Sequence, residues 1–115
     1  MLQESKKGAA MKRVGRIVKV KLEMKDRYIE LHANPWSEVS KAIYACGIRN
    51  FSIFVKGEML FSYFEYIGTD YEADMERLDH LTKDWLKETD ACQTPVEDAA
   101  DDELWCEMET IFYQQ

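Results

Sequence analysis

Apolar residues change period several times along this chain, and the order of those changes leaves few folds open. Arg13 to Leu22 reads as a strand: Val14, Val18, Val20 and Leu22 share one face at period two, Arg16 interrupts that face, and Ile17 lies on the other. Lys25 to Cys46 reads as helical, with Ile29, His32, Trp36, Val39, Ile43 and Cys46 on one stripe. Pro35 must kink or break it, since proline clashes with the carbonyl four residues back and restricts the residue before it. Asn34 is placed to cap a restarted helix with Pro35 at its first position, and Gly47 to end it. Asn50 to Lys56 alternates again, setting Phe51, Ile53 and Val55 against Ser52 and Phe54. Gly57 then marks a tight turn into a return strand, Met59 to Ile67. Thr69-Asp70-Tyr71-Glu72 fits a capping box, and the helix behind it carries Tyr71, Met75, Leu78, Leu81 and Trp85 inward with His80 toward solvent. Ala91 to Glu103 contains Pro95 and an acidic run and reads as a solvated loop. Leu104 to Tyr113 reads as a last strand with Leu104, Cys106, Met108 and Phe112 on one face.

The order is β-α-β-β-α-β. That is the ferredoxin-like α+β arrangement, an antiparallel sheet with both helices on one face. The other face of such a sheet still needs cover, and one small domain has no second layer to supply it, so either a ligand pocket or a second subunit must. Pairing two sheets in a homodimer, the dimeric α/β barrel type, is the expected solution.

At 115 residues the chain is long enough to bury a core without metal or disulfide support. Residues 1–11 are polar, without the apolar core of a secretory signal, and are expected to form a disordered tail ahead of one domain spanning 12–115. No stretch approaches the 18 or so apolar residues that a membrane span needs. A net charge of -7 argues against nucleic acid and anionic membrane surfaces and says little about a neutral ligand. The cysteines, Cys46, Cys92 and Cys106, are odd in number with no CxxC pair, so reduced structural thiols in the cytoplasm are expected. No P-loop, GxGxxG or HExxH motif occurs, and two histidines make no His-rich metal site. Neither metal nor cofactor is expected.

The informative stretch runs from Tyr28 to Trp36. Tyr28 and His32 are four apart, so one helix face presents both, and His32 falls on the apolar stripe. A half-buried imidazole beside a phenol can act as general acid or base near neutral pH. A core histidine bonded to a backbone carbonyl would produce the same spacing. Trp36, Phe51 and Trp85 are flat apolar surfaces suited to stacking on a sugar ring, or to core packing. Asp84 is either a hydrogen-bond acceptor beside Trp85 or a solvated carboxylate.

Three parts of the chain resemble the L-rhamnose mutarotase family. Tyr28-x-x-x-His32-x-x-x-Trp36-x-Glu38 is similar to the family's helix motif. Gly47-x-x-Asn50-Phe51-x-Ile53 resembles its Gly-x-x-Asn-Tyr-x-Ile entry to the second strand. Trp85 followed by Thr89-Asp90, with the ending Met108-Glu109-x-x-Phe112, completes the resemblance over roughly Arg13 to Tyr113. It implies a small dimeric ferredoxin-like enzyme that interconverts the α and β anomers of L-rhamnose or a related 6-deoxy-hexose. In that reading His32 is the proton donor and acceptor, and Tyr28 is its partner or a substrate hydrogen bonder. Trp85, Trp36 and Phe51 form an apolar floor, and Asp84 is a polar anchor. Phe51 stands where the family has Tyr, and Asp84-Trp85 where it has a Trp pair. The alternatives are a mutarotase for L-fucose or another sugar, a cofactor-free monooxygenase, and a non-catalytic sugar-binding module.

Overall fold

A computed structural model describes residues 11–115. The expected N-terminal tail, apart from Met11, lies outside the described residues. The chain runs through β1 (Lys12–Val20), a 3₁₀ turn (Leu22–Met24), α1 (Lys25–Ala33), α2 (Ser37–Ala45), β2 (Ile48–Lys56) and β3 (Met59–Tyr66). It continues through α3 (Tyr71–Leu81), α4 (Lys83–Asp90), β4 (Gln93–Thr94) and β5 (Cys106–Met108). All pairings are antiparallel, in the order β2-β3-β1, with β5 and β4 one after the other along the far edge of β1, against Gly15–Ile17 and Lys19–Val20. This is the expected ferredoxin-like α+β fold, with its fourth strand cut into two short pieces.

Both expected helices are divided. Pro35 holds Asn34 (φ -133°, ψ 67°) and Trp36 (φ -69°, ψ 137°) out of the helical region. The second helix therefore restarts at Ser37, two residues later than expected, and no side chain caps it. Asn34 instead terminates α1. On α1 the buried residues are Tyr28 and Leu31, while Ile29, expected inward, is exposed. The later helix breaks at Thr82, whose hydroxyl donates to the Leu78 carbonyl at 2.8 Å, a back-bond that bends helices. The break buries Thr82 and leaves Leu81, expected inward, exposed. Its N-cap is Asp70 and not Thr69: Asp70 Oδ1 accepts from the Ala73 N–H at 3.1 Å.

Turn chemistry follows the glycines as expected. Gly47 takes φ 86° just past α2, and its N–H donates to the Tyr44 carbonyl at 3.1 Å. Gly57 at φ 60° opens the tight β2–β3 turn. Sequence alternation does not reveal the β-bulge in β2. Arg49 pairs with Glu65 and Ser52 with Tyr63, so Asn50 and Phe51 together oppose Phe64. Asn50 carries the bulge at φ 54°, a conformation Asn tolerates, and its amide donates to Glu65 Oε1 at 2.7 Å. The extra residue lets both Ile48 and Ile53, five apart, reach the helix side of the sheet.

Two expectations about the ends of strands fail. Leu22 leaves the sheet for the 3₁₀ turn and is exposed. The last strand is three residues long: Cys106 and Met108 lie opposite Ile17 and Gly15 on the outer face, and Phe112 is exposed beyond it. Leu104, expected on the same face as Cys106, packs with Trp105 against the core under the helices. The reason is competition for one edge, because Gln93–Thr94, expected in a loop, already pairs with Val20 and Lys19 of β1.

The helices cover the sheet face carrying Val14, Val18, Val20, Leu60 and Phe64. Two apolar clusters form there. One gathers Val18, Val20 and Leu60 with Tyr28, Leu31, Val39 and Trp85; the other gathers Val14, Ile48, Phe64 and Tyr66. Between them a row crosses the sheet in register, Ile53–Ser62–Arg16–Glu107. The arginine that interrupts the apolar face of β1 thus stands in the middle of the buried sheet face.

Candidate active site

The space between sheet and helices opens as a cleft of about 810 Å³, within the range of small-molecule sites. Tyr28 and His32 of α1, Phe51 of β2 and Trp85 of α4 all line it, as the sequence expects. Tyr28 and His32 meet because they are one helical turn apart, with ring centres 4.3 Å apart. Trp85 sets its edge against His32 at 5.3 Å. Phe51 packs edge-on against Phe64 at 5.5 Å, aimed by the bulge beside it.

Two expected site residues lie elsewhere. Trp36 is not part of the cleft lining; it stands behind Trp85 at 5.3 Å and fixes that ring edge-on. Asp84 is exposed and outside the cleft, because α4 turns Trp85 and Thr89 inward and Asp84 points away from that face. The carboxylates that do line the cleft are Asp79 and Asp90, both on exposed residues at its rim. Burial pushes both carboxyls above their ordinary range, with Arg16 opposing the shift at Asp79 and the charge of Asp79 adding to it at Asp90.

His32 holds the geometry that matters most for chemistry. Its Nδ1 lies 2.9 Å from the Tyr28 carbonyl oxygen. A carbonyl only accepts, so Nδ1 carries the hydrogen and donates, and in the neutral ring Nε2 is the basic nitrogen. The carbonyl bond is the one a structural core histidine would make. Here it also orients a ring that lines a cleft. Among the described residues no protein group bonds Nε2.

Tyr28 is buried, and its hydroxyl accepts a hydrogen bond from Gln93 Nε2 at 3.1 Å. Burial pushes its phenol up to about 12, with the Gln93 bond and the nearby Arg16 charge working against that rise. Tyr28 therefore stays neutral at ordinary pH, with its own hydroxyl hydrogen free to donate.

Arg16, bonded to the sheet, and Gln93, bonded to Tyr28, are polar cleft residues that the sequence reading did not single out, beside Asp79 and Asp90. Arg16 Nε donates to Ser62 Oγ at 3.2 Å, and its guanidinium carbon sits 4.8 Å from the Trp105 ring centre and 5.1 Å from that of Phe64. Burial pulls the Arg16 pKa down, opposed by Tyr71, Glu107, Tyr28 and Asp79. The signal was visible as a cation on an apolar strand face. Gln93 gave no signal, because its stretch read as loop.

The fold is that of a small ferredoxin-like protein whose cleft joins a histidine and a neutral phenol to aromatic walls. Residues 13–114 match the L-rhamnose mutarotase family, and the chain belongs to that family of sugar mutarotases, which are isomerases. It is 28% identical to a UPF0734 protein of Dictyostelium discoideum over 97 residues, with 78% of each chain covered. The crystal structure of an L-rhamnose mutarotase from Formosa agariphila superposes with a TM-score of 0.68 at 20% identity, covering 90% of this chain and 99% of that one. Tetracenomycin F2 cyclase from Streptomyces glaucescens, a type-II polyketide cyclase, superposes at 0.64 with 15% identity, covering 90% and 97%. At those identities the two structures speak for the fold alone. No helix among the described residues is long and apolar enough to cross a membrane.

Proposed function

We propose that this chain interconverts the α and β anomers of L-rhamnose or a close 6-deoxy-hexose, with His32 as the proton shuttle. The observation that carries this reading is the pinned imidazole: Nδ1 bonded to the Tyr28 carbonyl leaves Nε2 as the nitrogen for a ligand. His32 Nε2 takes the proton from the anomeric hydroxyl as the C1–O5 bond breaks and the C1 aldehyde forms. It returns that proton to O5. Rotation about C1–C2 presents the other aldehyde face, and the same steps run backward close the ring as the other anomer. Tyr28 stays neutral and donates a hydrogen bond to a sugar oxygen, while Trp85 and Phe51 supply apolar surface for the ring.

The same reading makes the protein a homodimer. Phe54, Phe61, Ile17 and Cys106 form a continuous row across the outer sheet face, and Phe54 and Phe61 are 64% and 37% exposed. Three free thiols suit a reducing cytoplasm.

The test is NMR saturation transfer between anomer signals across a panel of L-sugars. Wild type is expected to accelerate exchange for L-rhamnose or a close relative. His32→Ala is expected to lower that exchange about 10²–10⁴-fold with the fold intact. Full activity of His32→Ala would rule out the shuttle.

A further inference from the structure

Gln93 is 4% exposed and lines the cleft. One end of its amide is engaged, with Nε2 donating to the Tyr28 hydroxyl. Its Oε1 is buried and has no hydrogen-bond partner, alone in this respect among the described buried side-chain atoms. A buried amide oxygen left unpaired is costly, and native folds keep few such atoms. Turning the amide over does not remove the problem: the oxygen would then accept from Tyr28, and the NH₂ would be the end without a partner. Either way the side chain keeps one unmatched polar end, on a residue that lines the site together with the neutral phenol.

The groups around it narrow what can pair with that end. Arg16, with only its Nε bonded, shares the cleft with the exposed carboxylates of Asp79 and Asp90. No carboxylate lies within salt-bridge distance of Arg16 among the described residues. Arg49 also lines the cleft, with its guanidinium held by the Tyr44 and Ile48 carbonyls, so two cations and two carboxylates leave no net positive charge to favour an anionic ligand. A sugar hydroxyl is neutral and both donates and accepts, so it satisfies whichever end of the amide is free.

Resting on the mutarotase reading above, we propose that Gln93 is a specificity-determining residue, whose unpaired amide end hydrogen-bonds one particular hydroxyl of a neutral sugar beside Tyr28. A site built to bond a hydroxyl rejects the analogue lacking it, because the buried polar group is then left unmatched.

The experiment measures the concentration dependence of anomer exchange for the preferred sugar and its monodeoxy analogues, in wild type and in Gln93→Leu. Wild type is expected to lose about 5- to 100-fold in kcat/KM for one monodeoxy position and far less for the others. In Gln93→Leu the KM for the parent sugar is expected to rise by a similar factor, with kcat changed less than about threefold, and the discrimination at that position to vanish. A Gln93→Leu variant that keeps the wild-type KM, or still discriminates, overturns the proposal and leaves the amide to a buried water. If Gln93→Leu does not fold, the Gln93 side-chain amide signal of wild type is followed in a sugar titration. A shift with the parent sugar that is lost with one monodeoxy analogue supports the contact, and equal shifts with all analogues refute it. Absence of exchange by wild type, with the amide still responding to sugar, would sink the mutarotase reading and leave Gln93 standing as a sugar contact.

Discussion

The two faces of the sheet are made of alternating residues of the same strands, yet they carry different kinds of burial. On β3, Leu60 and Phe64 face the helices and are almost fully buried, while Phe61, between them in sequence, is 37% exposed on the other side. The helix face combines apolar packing with polar residues set inside it: Ser62, Arg16, and Gln93 reaching Tyr28. The outer face carries the apolar row Phe54–Phe61–Ile17–Cys106, with polar groups beside it where Tyr63 and Asn50 donate to Glu65. The difference teaches how the proposed function divides the sheet: polar groups set into the buried face would meet the sugar, and the open apolar row would meet a second copy of the chain.

The sharpest way to break this contrast is to cut one residue from each face. Leu60→Ala opens a cavity under α1 and α4 and is expected to cost about 2–5 kcal/mol in urea unfolding. Phe61→Asp is expected to change the stability of the isolated chain by less than about 1 kcal/mol and to halve the mass seen by light scattering. Were Leu60→Ala tolerated and Phe61→Asp still dimeric, the roles of the two faces would be wrongly assigned.

The sequence made the helix side of the site legible and the strand side obscure. Tyr28, His32 and Trp85 follow from helical spacing, which survives the break at Pro35 because Tyr28 and His32 both precede it. Arg16 was legible only as an irregularity: alternation places it inward, but nothing in one strand says that Ser62 and Trp105 will receive it. Gln93 was illegible, since its two-residue strand exists only because the β1 edge is free beside Val20. The bulge at Asn50 was equally hidden, although Asn is a residue that tolerates positive φ. Local periodicity reports elements that stabilise themselves; it does not report short pieces recruited by an edge formed elsewhere.

Alkaline titration sharpens the contrast on the buried side. The Tyr28 phenol is held up to about 12, against an ordinary value of 10.0. Below pH 10 it is neutral in native and unfolded chain alike, and its stabilisation is complete. Between those values the unfolded chain ionises while the native chain keeps its proton, so stability falls as pH rises, by roughly 2–3 kcal/mol in all. The other tyrosines add their own slopes, so the prediction concerns the difference from Tyr28→Phe. That variant is expected to be less stable at neutral pH but to lose less between pH 10 and 12. Parallel curves for the two proteins would show that Tyr28 is not shielded from water.

The smallest effect is expected at Asp84, which the sequence resemblance places in the site and the structure places outside it. Asp84 lies in the first turn of α4, where a carboxylate gains about 0.3–1 kcal/mol from the helix dipole. It makes no hydrogen bond or ion pair among the described contacts, and its neighbours Trp85 and Thr89 take the inward positions. Asp84→Ala should therefore lower stability by under about 1 kcal/mol and leave the KM for the preferred sugar within about twofold of wild type. Asp90, at the other end of the same helix, lines the cleft, so Asp90→Asn should change KM more than Asp84→Ala does. A larger effect from Asp84 than from Asp90 would mean that sugar binding rotates α4 and brings the outer carboxylate in, since the helix as it stands cannot present both.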